Sequence, residues 1–313
     1  MAHPALSGAP RPVFPAIETL LTRASVIVPT FNRCDLLQQV LSALVQQDYA
    51  EDYEIVVVDD GSQDETPRVL EEWGRRHPGR LRAFRQANAG PAKARNRGAR
   101  EARGTFLAFI DDDCLAERSW LRALEMAMEN AKAAAVAGAV VNPEGGWVGR
   151  YVNLESVIDH VLSADGSVAE LITANAGVRA KVFWEVGGFD EAIRVAGGED
   201  TELSLCLRAA GHRIVYAPEA QIRHEKWMDL PDYCRMIFRH GRGRRRLGER
   251  FPAYRLSVPH LRLLWLAWPV RSWMVKDYLR YRSMSISAAE AFRYILLRYL
   301  QNLARVAGYI QGT

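Results

Sequence analysis

From residue 25 the chain alternates short β-branched runs with longer stretches of helical period, and each apolar run ends in a polar cluster. Residues 25–29 (SVIVP) and 54–58 (EIVVV) are too short for helices and read as buried strands. Between them Leu36, Leu37, Val40, Leu41, Leu44 and Val45 recur at the spacing of an amphipathic helix over residues 35–46. Asp64 and Glu65 suit a helix N-terminus, so a second helix is expected from there toward His77 and Pro78. A strand at 81–85, a helix at 91–102 and a strand at 105–110 continue the pattern. This β-α-β-α order implies an α/β fold with a mostly parallel, doubly wound sheet, covered by helices on both faces. Ligands bind such sheets beyond the carboxyl ends of the strands. Those ends carry Thr30, Phe31 and Asn32; Asp59, Asp60 and Gly61; and Asp111, Asp112 and Asp113. Three polar clusters are therefore expected along one edge.

After Asp113 the regularity fades. A helix is expected at 117–130, a strand at 134–141, a Gly-rich loop at 145–146 and a strand at 213–216 that leads by a short loop to His224. From Leu230 the chain is helical, basic and aromatic, without an internal repeat. The expected organisation is an N-terminal extension (1–24), a domain over 25–229 with halves at 25–116 and 117–229, and a C-terminal helical extension (230–313).

The 49% hydrophobic and 25% charged composition is that of a globular protein. A net charge of +4 is too small to argue for a nucleic-acid partner. Cys34, Cys114, Cys206 and Cys234 lie far apart without a C-x-x-C pair, which disfavours a disulfide framework and points to a reducing, cytoplasmic setting. Residues 1–15 lack the apolar core of a signal peptide. The most apolar stretch, 261–270, falls short of the roughly 18 residues a spanning helix needs. A soluble or peripheral protein is expected.

The sharpest chemical signal is Asp111-Asp112-Asp113. Three carboxylates directly after a buried strand repel one another unless a cation sits among them, and Mg²⁺ or Mn²⁺ takes one or two carboxylates plus phosphate oxygens. Such an ion would hold a diphosphate and stabilise it as it leaves. A solvated turn capping the next helix is the other reading of these residues. Asp59-Asp60-Gly61-Ser62 is either an ordinary turn or a carboxylate presented to a base imide N–H. A G-x-G-x-x-G fingerprint and a Walker loop are both absent. Glu199 and Asp200 follow a Gly-Gly pair at the start of an amphipathic helix, either as caps or as a positioned general base. Lys93 and Arg95, near the start of a helix, are candidates for a diphosphate, with a solvated helix face as the alternative. His224 is a candidate metal ligand, although a lone His more often satisfies a local hydrogen bond.

Residues 25–33 (SVIVPTFNR), 56–62 (VVVDDGS), 94–98 (ARNRG), 109–113 (FIDDD), 186–190 (VGGFD) and 198–203 (GEDTEL) together resemble the family-two inverting glycosyltransferases. The resemblance covers roughly residues 25–225. It implies the glycosyltransferase-A fold, in which a Rossmann-like nucleotide half is fused to an acceptor half. On that resemblance Asp60 pairs with the base, and Pro29, Thr30, Phe31 and Asn32 line the nucleotide. Asp111 and Asp112 reach ribose or sugar hydroxyls, Asp113 binds the metal with His224, and Asp200 is the base assisted by Glu199. Asn175 and Gly188 are assigned to sugar or acceptor contacts in the second half. The partners implied are a nucleoside-diphosphate sugar, with uridine the family's commonest nucleotide, and a saccharide or lipid-linked acceptor. The processive relatives' Q-x-x-R-W motif is absent, so single addition is expected.

Arg239, Arg242, Arg244, Arg245, Arg246 and Arg250 crowd one segment with three glycines. A solvated helix, a clamp for the leaving diphosphate and a patch for anionic lipid are the three readings. In the last helix Phe292, Ile295, Tyr299, Leu303, Val306 and Ile310 are expected to pack inward, with Arg298, Gln301, Asn302 and Arg305 on the opposite face. Residues 261–273 leave membrane contact open, and the oligomeric state has no signal. Two other functions compete. A nucleotidyltransferase would want a Gly-rich loop after the first strand, which Thr30-Phe31-Asn32-Arg33 does not supply. A non-catalytic membrane adaptor would have lost Asp113 or Asp200.

Overall fold

The structure, a computed structural model, describes residues 23–141, 145–155, 162–194, 197–225, 229–255 and 268–312. Strands β1 (Ala24–Thr30), β2 (Tyr53–Asp59), β3 (Leu81–Arg85) and β4 (Phe106–Ile110) are parallel, and α1 (Cys34–Leu44), α2 (Thr66–Arg76) and α3 (Pro91–Glu101) connect them. Strand alternation sends Val26 and Val28 into one layer with Leu37, Val40 and Leu41. Ile27 goes into the other with Leu107, Phe109 and Ala99. Burying each of these large aliphatic side chains contributes about 1.5–3 kcal/mol, so short Val- and Ile-rich runs suffice to fix the layers.

The second half comprises β5 (Cys114–Ala116), α4 (Trp120–Asn130), β6 (Ala135–Val141), α5 (Gly146–Leu154), β7 (Asn175–Arg179), α6 (Ala180–Glu185), α7 (Glu199–Ala209) and β8 (Ile214–His224). The sheet order is β3-β2-β1-β4-β7-β6-β8-β5, with β7 antiparallel to both neighbours and β5 antiparallel to β8. Strand β8 corrects the expected short strand at 213–216. It runs on to His224 by absorbing Pro218 in an irregularity, where Gly138 pairs with Ala217 but Ala139 with Gln221.

The C-terminal helices are α8 (Leu230–Arg250), α9 (Trp268–Ser283) and α10 (Ala288–Gln311). They share a third core with α5, built on Tyr151, Tyr233, Tyr281 and Tyr294. The glycines of the arginine-rich segment are contact points. A Cβ on Gly241 would lie 2.1 Å from the Arg305 carbonyl oxygen, and one on Gly243 would lie 1.5 Å from that of Gly197. Helix α8 is thereby pressed onto both α10 and the turn before α7. Gly243→Ala is expected to lower stability by about 1–3 kcal/mol through overpacking. Thermal unfolding of the variant checks this, and an unchanged melting temperature would mean that α8 does not rest on that turn.

Helix α10 is rotated from its expected face. Ile295 and Val306 are buried, but Phe292 and Ile310 are 62% and 59% exposed. The residues expected outside turn inward: Arg298 donates to Asp277 at 2.8 Å, Gln301 accepts from the Tyr151 hydroxyl at 2.9 Å, and Arg305 reaches a cleft. The tyrosine cluster and the Gly241 contact set this rotation, which overrides the simple hydrophobic stripe. Among the described residues no helix is long and apolar enough to cross a membrane. Most of 261–273 and all of 1–22 lie outside the described residues.

Candidate active site

The order β2-β1-β4 places the ends of the three predicted polar clusters side by side. Thr30 Oγ1 donates to Asp112 at 2.7 Å, the Asn32 amide donates to Ser62 Oγ at 2.9 Å, and the Gln63 amide donates to Asn32 Oδ1 at 2.7 Å. Asn32 holds a left-handed backbone, φ 53°, which turns the chain between the first two clusters. Asp60 accepts from Gln86 Nε2 at 2.8 Å and from the Ala89 and Gly90 amides at 3.0 and 2.8 Å. A carboxylate has about four acceptor positions, so about one is left for a ligand.

Two arginines balance the Asp111–Asp113 acids. Arg33 donates to Asp112 at 2.9 Å and to Asp113 at 2.7 Å, while Arg95 donates to Asp111 at 2.6 Å and to Glu199 at 3.0 Å. The repulsion that argued for a metal in the sequence is thus partly offset by protein. Burial still pushes the Asp112 carboxyl up to about 6, outweighing Arg33 beside it. Arg33 has no predicted role, although it directly follows Thr30-Phe31-Asn32. Its reach back across the sheet edge is a tertiary fact.

Antiparallel pairing of β5 with β8 sets Cys114 opposite His224, which brings His224 Nδ1 to 3.8 Å from Asp113 Oδ1. Ligand atoms of Asp113, Cys114 and His224 all lie within 4.8 Å of one another. Burial and the neighbouring aspartates raise the Cys114 thiol well above its ordinary value, so it stays protonated and is a poor ligand for a hard ion. Asp113 and His224 form an oxygen and imidazole pair that fits Mn²⁺ or Mg²⁺.

Across the cleft, α7 starts at Glu199 directly after Gly198, which has φ 108°. Glu199 is buried and accepts from the Gly197 amide at 2.7 Å as well as from Arg95. Asp200 accepts from the Thr201 amide at 2.8 Å and keeps part of its surface open to the cleft. Its enclosed position, and then the Glu199 charge, raise its carboxyl well above the ordinary range. Glu170, which had no predicted role, accepts from Thr201 Oγ1 at 3.2 Å and from the Tyr254 hydroxyl at 3.0 Å, and its charge adds to that rise.

The cleft has a volume of about 1360 Å³ and includes Pro29, Thr30, Phe31, Asp60, Arg95, Asp111, Asp112, Asp113, Glu199, Asp200 and His224 in its lining. Phe31 is 43% exposed there. Four expected site residues lie elsewhere. Asn175 is fully buried: its Oδ1 accepts from Trp120 Nε1 at 2.7 Å, and its Nδ2 donates to the Ala139 and Ala220 carbonyls at 2.8 Å each. This corrects the sugar or acceptor assignment, because Asn175 ties β6 and β8 together where their register shifts. Gly188, φ 70°, packs on Asn96 and Phe183. Asn32 shapes its turn without lining the cleft, and Lys93 is solvent-exposed on α3. Arg95 is only 5% exposed at its side chain and already spans two acids, so it positions Asp111 and Glu199.

A half-parallel sheet carries acids at its switch edge and faces a carboxylate across the cleft; sequence comparison identifies the family. Residues 25–187, just over half the chain, match Glycosyl transferase family 2, and the chain belongs to that family. Glycosyltransferase AglE of Haloferax volcanii is 29% identical over 205 residues, covering 64% of this chain and 66% of its own. Validoxylamine A glucosyltransferase of Streptomyces hygroscopicus subsp. jinggangensis is 33% identical over 219 residues, covering 60% and 51%. The chain spans about half to two thirds of the length of these curated relatives. Among solved structures, mannosyltransferase PcManGT from Pyrobaculum calidifontis, in complex with GDP-Man and Mn²⁺, superposes with a TM-score of 0.67. The identity is 19%, over 96% of this chain and 90% of that one. The fold is glycosyltransferase-A.

Proposed function

We propose that the protein moves a sugar from a nucleoside-diphosphate donor, UDP-sugar first among candidates, to a hydroxyl of a saccharide or lipid-linked acceptor, with inversion and one addition per encounter. The observation that carries this is the placement of Asp200, on the helix start across the cleft from the paired Asp113 and His224. Residues 25–116 hold the nucleotide and 117–229 the acceptor, and the basic helices of 230–313 close the far wall; residues 1–24 are an extension with no assigned role. Phe31 offers its exposed ring to the base, and the remaining acceptor position of Asp60 offers an oxygen to the base imide. Asp113 and His224 hold a divalent ion, which when bound offsets charge on the departing diphosphate. PcManGT, which carries Mn²⁺ and GDP-Man, supports that choice of ion and leaves guanosine as a competing nucleotide. Asp200 accepts the acceptor hydroxyl's proton as that oxygen bonds the anomeric carbon and the bond to the diphosphate breaks. Four free cysteines suit a cytoplasmic setting, with peripheral membrane contact.

Isothermal titration with UDP, GDP and dTDP, with and without Mn²⁺, tests the donor half. One nucleotide is expected to bind only with metal, and Asp113→Ala is expected to weaken it by about 10–100-fold. Failure of all three nucleotides to bind the folded protein would overturn the reading.

A further inference from the structure

Helices α8 and α10 bring Arg239, Arg244 and Arg305 into the wall of the cleft. Other arginines of α8 are accounted for. Arg242 donates to the Gly312 carbonyl at 2.6 Å and Arg245 to that of Ile310 at 2.9 Å, while Arg235, Arg246 and Arg250 pair with Asp232, Glu249 and Glu202. Among the described residues, none of the three cleft arginines has a carboxylate within ion-pair distance; Arg244 lies 5.3 Å over the Tyr254 ring. Arg244 acts on Arg305, and Arg239 and Arg305 both act on His240, which lines the same cleft. Burial and Arg244 hold the Arg305 guanidinium below its ordinary value, and burial, Arg305 and Arg239 push His240 down to about 4. Arg244 and Arg305 are half-buried without a counter-charge, which is unfavourable, Arg239 is exposed at the rim, and the planar forks of all three match phosphate oxygens.

The position of the cluster says which anion it serves. His240 and Gly243 pack on Gly197 and Gly198, the turn that presents Asp200. Beneath Arg244, Tyr254 connects through Glu170 to Thr201, the residue after Asp200. The corner of Asp113 and His224 has a separate cation, Arg33, and among the described residues neither of them hydrogen-bonds or ion-pairs with the three arginines. Val152, Met236, Phe238 and Ala304 line the same cleft and supply an apolar wall. We propose that the acceptor bears a phosphate group, and that Arg239, Arg244 and Arg305 bind it beside the base while the acceptor hydroxyl faces Asp200. This deepens the reading of Asp200 as the base and rests on it.

The test measures binding of inorganic phosphate, glucose 1-phosphate and geranyl phosphate to the full chain by titration. Each is run alone and with the protein saturated by its nucleoside diphosphate and Mn²⁺. Glucose 1-phosphate and geranyl phosphate distinguish a saccharide from a lipid source, and glucose and geraniol control for the uncharged parts. At least one organic phosphate is expected to bind, to persist when the nucleotide site is filled, and to weaken by about 10–100-fold in Arg239→Gln/Arg305→Gln. Nucleotide affinity should stay within about twofold in that variant, and Arg239→Lys/Arg305→Lys should recover part of the loss. Circular dichroism and melting temperature identify a folded variant; were the double substitution to unfold, Arg239→Gln alone carries the same comparison. Displacement of the phosphates by nucleotide, or an equal loss of nucleotide affinity in the variant, would show a clamp for the leaving diphosphate and overturn the proposal. Absence of binding to the wild-type protein would overturn it as well. Nucleotide binding without phosphate binding defeats this proposal alone, whereas loss of nucleotide binding in the wild type defeats the donor reading.

Discussion

Asp200→Asn is expected to lower kcat by about 10²–10⁴-fold, the usual worth of a positioned general base, while nucleotide binding is retained. The side chain keeps its shape and its acceptor oxygen for the Thr201 amide, so what is removed is proton affinity. The pH profile offers an independent check. A base works only when ionised, and enclosure plus the Glu199 charge raise the Asp200 carboxyl. The acid limb of kcat/KM should therefore lie well above pH 4, with activity falling tenfold per pH unit below it. Stability runs the other way. A carboxyl raised in the folded state stabilises the fold below its unfolded value near pH 4, and that contribution is lost as pH rises through the folded value. Asparagine does not ionise, so the variant should be more stable than the wild type near pH 8, with the gap closing toward pH 4. Denaturant unfolding at both pH values measures this. An inactive variant that is also less stable at pH 8 would assign Asp200 to the scaffold.

The first half of the sheet was legible because its signals are local. Val26 to Val28 and Ile55 to Val58 are β-branched and fully buried, and α1 has the period its sequence announces. The second half hides its strands. Cys114–Ala116 is three residues long, and Asn175–Arg179 contains Asn and Gly, both depleted in strands; pairing with β8, β4 and β6 makes them strands. The site divides similarly. Asp113 and His224 lie far apart in sequence and meet through the β5–β8 register, which no spacing rule encodes. Asn175 was misplaced because a buried amide bridging two carbonyls and an indole resembles a polar site residue until its partners are known. In the C-terminal region the arginines were visible from the start. Their division into paired and unpaired sets depends on where Gly241, Gly243 and Gly308 let three backbones approach.

Arg95→Met is expected to destabilise the protein by about 3–5 kcal/mol, the cost of removing one partner from a buried ion network. Arg95 lies on the buried face of α3 and reaches both Asp111 and Glu199. Asp111 follows β4 and Glu199 leads into the turn that presents Asp200, so one guanidinium joins the two sides of the cleft. Methionine fills much of the space but leaves Glu199, which is 4% exposed at its side chain, buried with the Gly197 amide as its remaining partner. Against a total stability of about 5–15 kcal/mol, that loss is a large fraction. Arg95→Lys retains one charge without the fork and should fall between the two. The second substitution Glu199→Gln, added to Arg95→Met, removes the stranded charge and should recover part of the loss, which a simple packing defect would not allow. Equilibrium denaturation of the wild type, Arg95→Met, Glu199→Gln and the double variant measures the coupling directly. If Glu199→Gln fails to restore stability in the Arg95→Met background, Arg95 acts through its aliphatic packing, and the turn that presents Asp200 is held by Gly198 and α8 instead.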